Sequence, residues 1–229
     1  MQLSKRLMQV TSFVSEGNRL ADIGTDHGYI PIYLVKNGVV PYAYAMDINK
    51  GPLLRAKEHI EKEGLCDKIE TRLSNGLDKL FSNEADSVLI AGMGGALIVD
   101  ILMRGEEVLA SVDELILSPH SEWEDVRRYL ASNGYDIIRE EMLVDMGKYY
   151  VIIKAKKGSL KDYDEVSYKY GKLLIEAKSE VLKEYLLKEK DKYLTILDNL
   201  KANGSDKSNV RMKEIGEELK VVDEALARL

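Results

Sequence analysis

From Arg19 to Ala155 the chain alternates short β-branched apolar runs with longer stretches whose apolar residues recur at helical spacing. That alternation is the mark of βαβ units around a mainly parallel sheet. The predicted strands are Arg19–Ile23, Tyr42–Met46, Ile69–Leu73, Ser87–Ala91 and Glu114–Leu117, followed by a late pair at Tyr135–Leu143 and Tyr149–Ala155. The turn-like segment "VDMGK" joins the late pair, and its Gly147 suits a tight turn, so these two strands should form an antiparallel hairpin at the end of the sheet.

After "AKKG" at 155–158 the period changes, and Leu, Lys, Glu and Tyr dominate without another glycine-bounded strand. Tyr163, Val166, Tyr170, Leu173 and Ala177 step by three and four, as do Met212, Ile215, Leu219, Val222, Leu226 and Leu229, which reads as coiled-coil seams. "KANGSDKSN" at 201–209 is expected to be a polar loop between long helices folded back on each other. The expected organisation is therefore an α/β domain, residues 1–157, and a C-terminal α-helical coiled-coil domain, residues 158–229. Five parallel strands closed by a hairpin is the plan of the Rossmann-like, seven-stranded class I methyltransferase sheet rather than of a six-stranded, all-parallel dinucleotide fold.

Composition narrows the class. With 229 residues and 45% hydrophobic content the chain can bury a core. One cysteine, Cys66, excludes a disulfide framework and a cysteine-built metal site, and the three histidines lack metal-ligand spacing, so no metal is expected. Residues 1–20 show no export leader and no stretch is long and apolar enough to cross a membrane, which points to a cytoplasmic protein without a membrane partner. No obligate protein partner is evident; a monomer or weak homo-oligomer is expected. The net charge of -6 argues mildly against a protein that coats nucleic acid. The acid excess is local: residues 1–155 carry 17 Lys+Arg against 24 Asp+Glu, leaving 16 against 15 for the remainder.

"ADIGTDHGYIP" at 21–31 has the outline of a nucleotide-binding loop, with Gly24 after the first strand and Gly28 opening the next helix. The second glycine of a dinucleotide fingerprint, which admits a pyrophosphate, is replaced by Asp26. A carboxylate there repels a pyrophosphate and attracts an ammonium or sulfonium, which favours S-adenosylmethionine over NAD. Asp47, 23 residues after Gly24 at the end of "AYAMDIN", is placed to accept hydrogen bonds from both ribose hydroxyls. Asn75 and Gly76 stand where a polar side chain and bare backbone can cover an adenine, although Asn-Gly is also a common turn.

In "IAGMGGALIVDIL" the glycines Gly92, Gly94 and Gly95 end the fourth strand and form part of the ligand crevice, or else pack strand tightly on helix. The stretch lacks the proline pair and aromatic that often serve exocyclic amine methylation, and a flat floor of small residues suits attack by a ring nitrogen. His27 is fixed beside the ligand by the turn, His120 in "LILSPHSEW" is equally a substrate contact or a loop histidine, and His59 should face solvent.

Taken with "SKRL", "GPLLRAK" and "GKYYVIIKA", these motifs resemble the bacterial tRNA adenine-22 N1-methyltransferase family across the whole sheet domain. The resemblance implies a class I fold, S-adenosylmethionine as methyl donor, S-adenosylhomocysteine as product, and methylation of N1 of an adenine in the D-arm of a tRNA substrate. The catalytic candidates are Asp26, Gly92, Met93, Gly94 and His120, of which His120 lies in "SPH", a departure from the form expected of the family, and the cofactor-binding candidates are Asp22, Gly24, Thr25, Asp26, His27, Gly28, Asp47, Ile48, Asn75, Gly76 and Gly92. Candidate RNA-contacting cations are Arg127, Arg128, the "KAKK" run at 154–157, and Lys183, Lys188, Lys190 and Lys192. The rival readings are an NAD-dependent oxidoreductase and a non-catalytic nucleoside-binding module.

Overall fold

The computed structural model describes residues 3–203 and 206–229. The chain divides into two compact units, one ending at Lys161 and one spanning Asp162–Leu229. In the first, seven strands build one sheet: β1 (Leu20–Ile23), β2 (Ala43–Asp47), β3 (Ile69–Leu73), β4 (Ser87–Ala91), β5 (Glu114–Ser118), β6 (Tyr135–Asp145) and β7 (Lys148–Lys157). They lie in the order β3-β2-β1-β4-β5-β7-β6, with the first five parallel and β7 antiparallel to both neighbours. This is the expected Rossmann-like methyltransferase sheet.

The strands differ by position in ways the residues explain. β1, β2 and β5 are buried throughout and mostly apolar, with Asp22, Asp47, Glu114 and Ser118 as their polar positions, whereas β3 is an edge strand whose exposed positions carry Glu70 and Leu73. On one face α1 (Lys5–Thr11), α2 (Tyr29–Lys36) and α3 (Lys50–Lys62) contribute Val10, Ile32 and Ile60 to a core shared with Leu20, Leu89, Ile116 and Ile152. Three further helices, α4 (Gly95–Arg104), the short α5 (Glu106–Leu109) and α6 (Trp123–Ser132), complete the unit, with α4 packed on α6. Chain order reverses direction between β1 and β4, and the crevice outside the carboxyl ends of those strands is where such sheets bind ligands.

The hairpin exceeds its prediction. Its strands continue through Val144 and Asp145 to a two-residue turn at Met146 and Gly147. β7 pairs with β5 only from Ile153 onward, so residues 148–152 run on past the end of β5, on the crevice side.

The second unit holds α7 (Glu165–Tyr170), α8 (Lys172–Glu176), α9 (Glu180–Asn203) and α10 (Asp206–Arg228). α9 and α10 pack along each other, are 24 and 23 residues long, and extend about 36 Å. Two expectations need correction. The first seam is not continuous, because Gly171 at φ 90° and ψ 114° breaks it between α7 and α8. The expected loop at 201–209 is helical at 201–203 and again from Asp206, while Gly204 and Ser205 lie outside the described residues.

Candidate active site

Asp22 and Ile23 end β1, and Gly24 then turns the chain at φ +76°. The amides of Gly24 and Thr25 both donate to the carbonyl of Met46, at 2.8 and 3.0 Å, which pins the loop to β2. Gly28, at φ +71°, opens α2 without a side-chain cap. Asp22, Gly24, Thr25, Asp26, His27, Tyr29 and Ile30 form one wall of a cavity of about 220 Å³. Ala91 and Gly92 from the end of β4, His120 after β5, and Arg6 and Leu7 from α1 complete it.

The cavity wall has unmet hydrogen-bonding capacity. Arg6 Nη1 and His27 Nδ1 are buried without hydrogen-bond partners, and Thr25 Oγ1 has none but the Asp22 carboxyl beside it. A buried polar atom left unpaired costs on the order of 1–3 kcal/mol, so two of them around one cavity point to a polar ligand. The Asp22 carboxyl is buried nearby, and burial, reinforced by the charge of Asp47, raises its pKa to about 7.

Other predicted residues fall into distinct places. Asp26 lines the cavity, but its carboxylate is 62% exposed and lies 3.4 Å from Arg55 and 3.5 Å from His27. It stands at the mouth, and Asp22 is the buried acid. The His27, Tyr29 and His59 rings stack at centroid distances of 5.0, 5.5 and 5.8 Å, and His59 Nδ1 is 2.9 Å from the His27 carbonyl. His59 is thus partly buried against the loop, where solvent exposure had been expected, because α3 turns this face toward it.

The "AGMGG" stretch divides in function. A Cβ on Gly92 would sit 3.9 Å from both Arg6 Nη1 and His120 Nε2, in van der Waals contact with them. The Met93 methyl covers Gly24, where an added Cβ would lie 2.2 Å from Met93 Cε. Gly94 does not line the cavity as expected. It caps α4, and a Cβ there would press on Ser121 Oγ at 3.2 Å, while one on Gly95 would meet the Glu122 carbonyl at 2.5 Å. Glu122 accepts from the Gly95 amide at 2.9 Å, so this helix terminus is satisfied internally.

His120 has its amide tied to the Met93 carbonyl at 2.8 Å, and its ring meets Tyr150 edge-on at 5.5 Å. Burial first, and then the charges of Arg6 and Lys148, hold its pKa below the usual histidine value. The Arg6 guanidinium lies 5.2 Å over the same Tyr150 ring. Beyond the cavity, the ends of β2 and β3 form an open shelf. Asp47 is buried there, with Oδ1 accepting from the Asn49 amide at 2.7 Å and Oδ2 from the Asp26 amide at 3.4 Å. Ile48 is 59% exposed, Asn75 is exposed, and Gly76 packs on Ile101.

Residues 3–153 match the family model described as a methyltransferase domain. The tRNA (adenine(22)-N(1))-methyltransferase of Bacillus subtilis (strain 168) is 34% identical over 99% of this chain and 98% of its own length. The chain belongs to the tRNA (adenine(22)-N(1))-methyltransferase family. The crystal structure of the B. subtilis m1A22 tRNA methyltransferase TrmK superposes with a TM-score of 0.90 at 32% identity, covering 98% of this chain and 99% of that one. The structure of M. capricolum TrmK in complex with S-adenosylhomocysteine gives 0.88 at 31%, covering 100% and 99%. Neither rival reading, oxidoreductase or non-catalytic module, is favoured by these relatives.

For a tRNA methyltransferase, two of the cations expected to meet RNA, Arg127 and Lys154, are instead held inside the sheet domain. Arg127 is buried on α6 and bonded to Glu140 at 2.7 Å, each side chain 1% exposed. Lys154 is largely buried against Glu114 at 2.9 Å, at the edge of the sheet where the parallel strands begin, opposite the cavity. Arg128 pairs with Glu124, Lys188 with Glu184, and Lys190 with Asp223.

Arg6, Tyr29 and Tyr150 were missed. "SKRL" carries no local signal for a site. Arg6 reaches the cavity because Ser4 caps α1 and because its own amide donates to Asp145 Oδ2 at 3.0 Å, 139 residues away. No group of three or more His, Cys, Asp and Glu suited to a metal occurs among the described residues, and no helix there is long and apolar enough to cross a membrane.

Proposed function

We infer that the chain transfers the methyl group of S-adenosylmethionine to N1 of adenine 22 in tRNA, releasing S-adenosylhomocysteine. The observation that carries this reading is the pair of unpaired buried atoms, Arg6 Nη1 and His27 Nδ1, around a cavity that also holds the Asp22 carboxyl and the Thr25 hydroxyl. Such donors beside a buried acid fit a zwitterionic amino acid group. Arg6 is the one Lys or Arg lining the cavity and suits the carboxylate; Asp22 suits the ammonium. On the shelf, Asp47 keeps lone pairs for the ribose hydroxyls, while Ile48, Asn75 and Gly76 offer an apolar and polar edge to the adenine.

When bound, S-adenosylmethionine supplies a methyl group activated on a sulfonium. The chain's own task is placement. Adenine N1 carries an in-plane lone pair and is neutral near pH 7, so no residue has to remove a proton to create the nucleophile. Gly92 and His120 form the end of the cavity left for that base, with Met93 packed over Gly24 beside it, and holding the base in line is the main source of rate. Positive charge then moves onto the adenine ring. A neutral His120, held neutral by burial, adds no repulsion there, and Asp26 at the mouth contributes a stabilising charge.

Residues 158–229 serve as an accessory grip on tRNA, and the whole protein acts in the cytoplasm without an obligate partner. Incubation with methyl-labelled S-adenosylmethionine and bulk tRNA is expected to place label in the RNA. Label in protein or small molecules alone would overturn the reading.

A further inference from the structure

The distal half of the β6–β7 hairpin is not needed to complete the sheet. It continues past β5 on the cavity side and ends in Met146 at φ +49° and Gly147 at φ +76°. Positive φ at both central residues is the hairpin turn that favours Asn-Gly or Asp-Gly. Methionine at its first position is the anomaly, since a left-handed conformation costs a side-chain-bearing residue roughly 1–2 kcal/mol. Met146 is also 95% exposed, the most exposed of the large apolar side chains among the described residues. An apolar residue that is both strained and offered to solvent calls for a functional explanation.

The tip is braced and basic. Lys5 Nζ donates to the Val144 carbonyl at 3.1 Å, and the Arg6 amide to Asp145 Oδ2 at 3.0 Å, so α1 holds the hairpin from the side. Lys148 is close enough for its charge to act on His120. Tyr150, two residues further, stands against His120 at the cavity rim. From Tyr150 to the tip is a rise of about 10 Å, which is the scale of one nucleotide swinging out of a stack.

We propose that Met146 is a wedge: it enters the base stack of the tRNA D-arm and fills the gap left when the target adenine swings into the cavity, with Lys5 and Lys148 meeting the adjacent phosphates. Insertion of an apolar side chain between bases is an established way for a protein to hold a nucleic acid open. N1 is on the pairing edge of adenine, so a paired target must be opened before any transfer. This inference rests on the tRNA methylation reading above.

The test uses the full chain, Met146→Ala and Met146→Leu, with two tRNA transcripts. One has the target adenine paired and the other has the opposing nucleotide changed so that it cannot pair. Met146→Ala is expected to lower kcat/KM about ten-fold on the paired transcript and less than about two-fold on the unpaired one, given an opening cost of a few kcal/mol that the wedge offsets in part. Met146→Leu should stay near wild type on both. Cofactor affinity and Tm should be unchanged, because the side chain touches little. An equal loss on both transcripts, or no loss on either, would overturn the wedge. Failure of the wild-type protein to methylate either RNA would instead sink the functional reading.

Discussion

Asp22 makes cofactor binding depend on pH in a specific way. Its carboxyl is buried at the end of β1 and titrates at about 7, against 3.8 for an unperturbed aspartate, chiefly through burial. If the ionised form is what holds the cofactor's positive charges, the apparent Kd scales as one plus ten to the power of pKa minus pH. For a pKa near 7, S-adenosylmethionine should bind about eight-fold more weakly at pH 6.0 than at pH 7.5, roughly 1.3 kcal/mol. The free protein should behave oppositely. A carboxyl whose pKa is raised on folding binds a proton more tightly when folded, so its contribution to stability is full below the unfolded pKa near 4 and is lost as pH rises through about 7. Titration calorimetry at the two pH values, on wild type and Asp22→Asn, measures the effect. Asp22→Asn should bind weakly with little dependence on pH in this interval. A wild-type Kd that is the same at both pH values, or an Asp22→Asn slope equal to wild type, would refute the assignment.

Three other outcomes follow from the packing. Gly24→Ala forces a Cβ-bearing residue to φ +76° and displaces the Met93 methyl, so cofactor affinity should fall about ten-fold or more, and adding Met93→Ala should relieve the crowding without restoring full affinity, because the backbone strain of roughly 1–2 kcal/mol remains. Arg6→Ala should weaken S-adenosylhomocysteine about ten-fold while leaving 5'-methylthioadenosine, which has no carboxylate, nearly unaffected, since a charge-assisted bond is worth about 1.5–3 kcal/mol. Arg127→Ala removes the buried guanidinium that faces Glu140 and should cost about 3–5 kcal/mol in urea unfolding, while the folded fraction keeps its tRNA affinity.

How much the sequence revealed depended on the range of the interaction. The seven strands were legible to within a few residues because β-branched runs between glycines and charged residues are a local signal, and Tyr135 and Ser87 open strands where they were placed. Asp22, Gly24 and Gly92 were legible for the same reason. The long-range parts were not. Arg6 and Tyr150 meet only because α1 is tied to the hairpin across 139 residues. The direction of Asp26 depends on Arg55, which α3 brings up from outside the loop. "RR" at 127–128 reads as surface charge, yet α6 buries Arg127 on the side that carries Val126 and Leu130, facing Glu140 of β6. Composition misled at 201–209, where Gly, Ser and Asn suggested a loop and most of the stretch is helix.

The most direct test of the functional account is to locate the methyl group. A single tRNA transcript is treated with the protein and S-adenosylmethionine, then copied by reverse transcriptase, which stalls at an adenine whose pairing edge is blocked at N1. The account predicts a stop at position 22 that requires both protein and cofactor, is absent when adenine 22 is replaced, and is weakened by Gly24→Ala. Efficient methylation elsewhere in the RNA, or a methyl group found on the exocyclic amine of adenine 22, would contradict it.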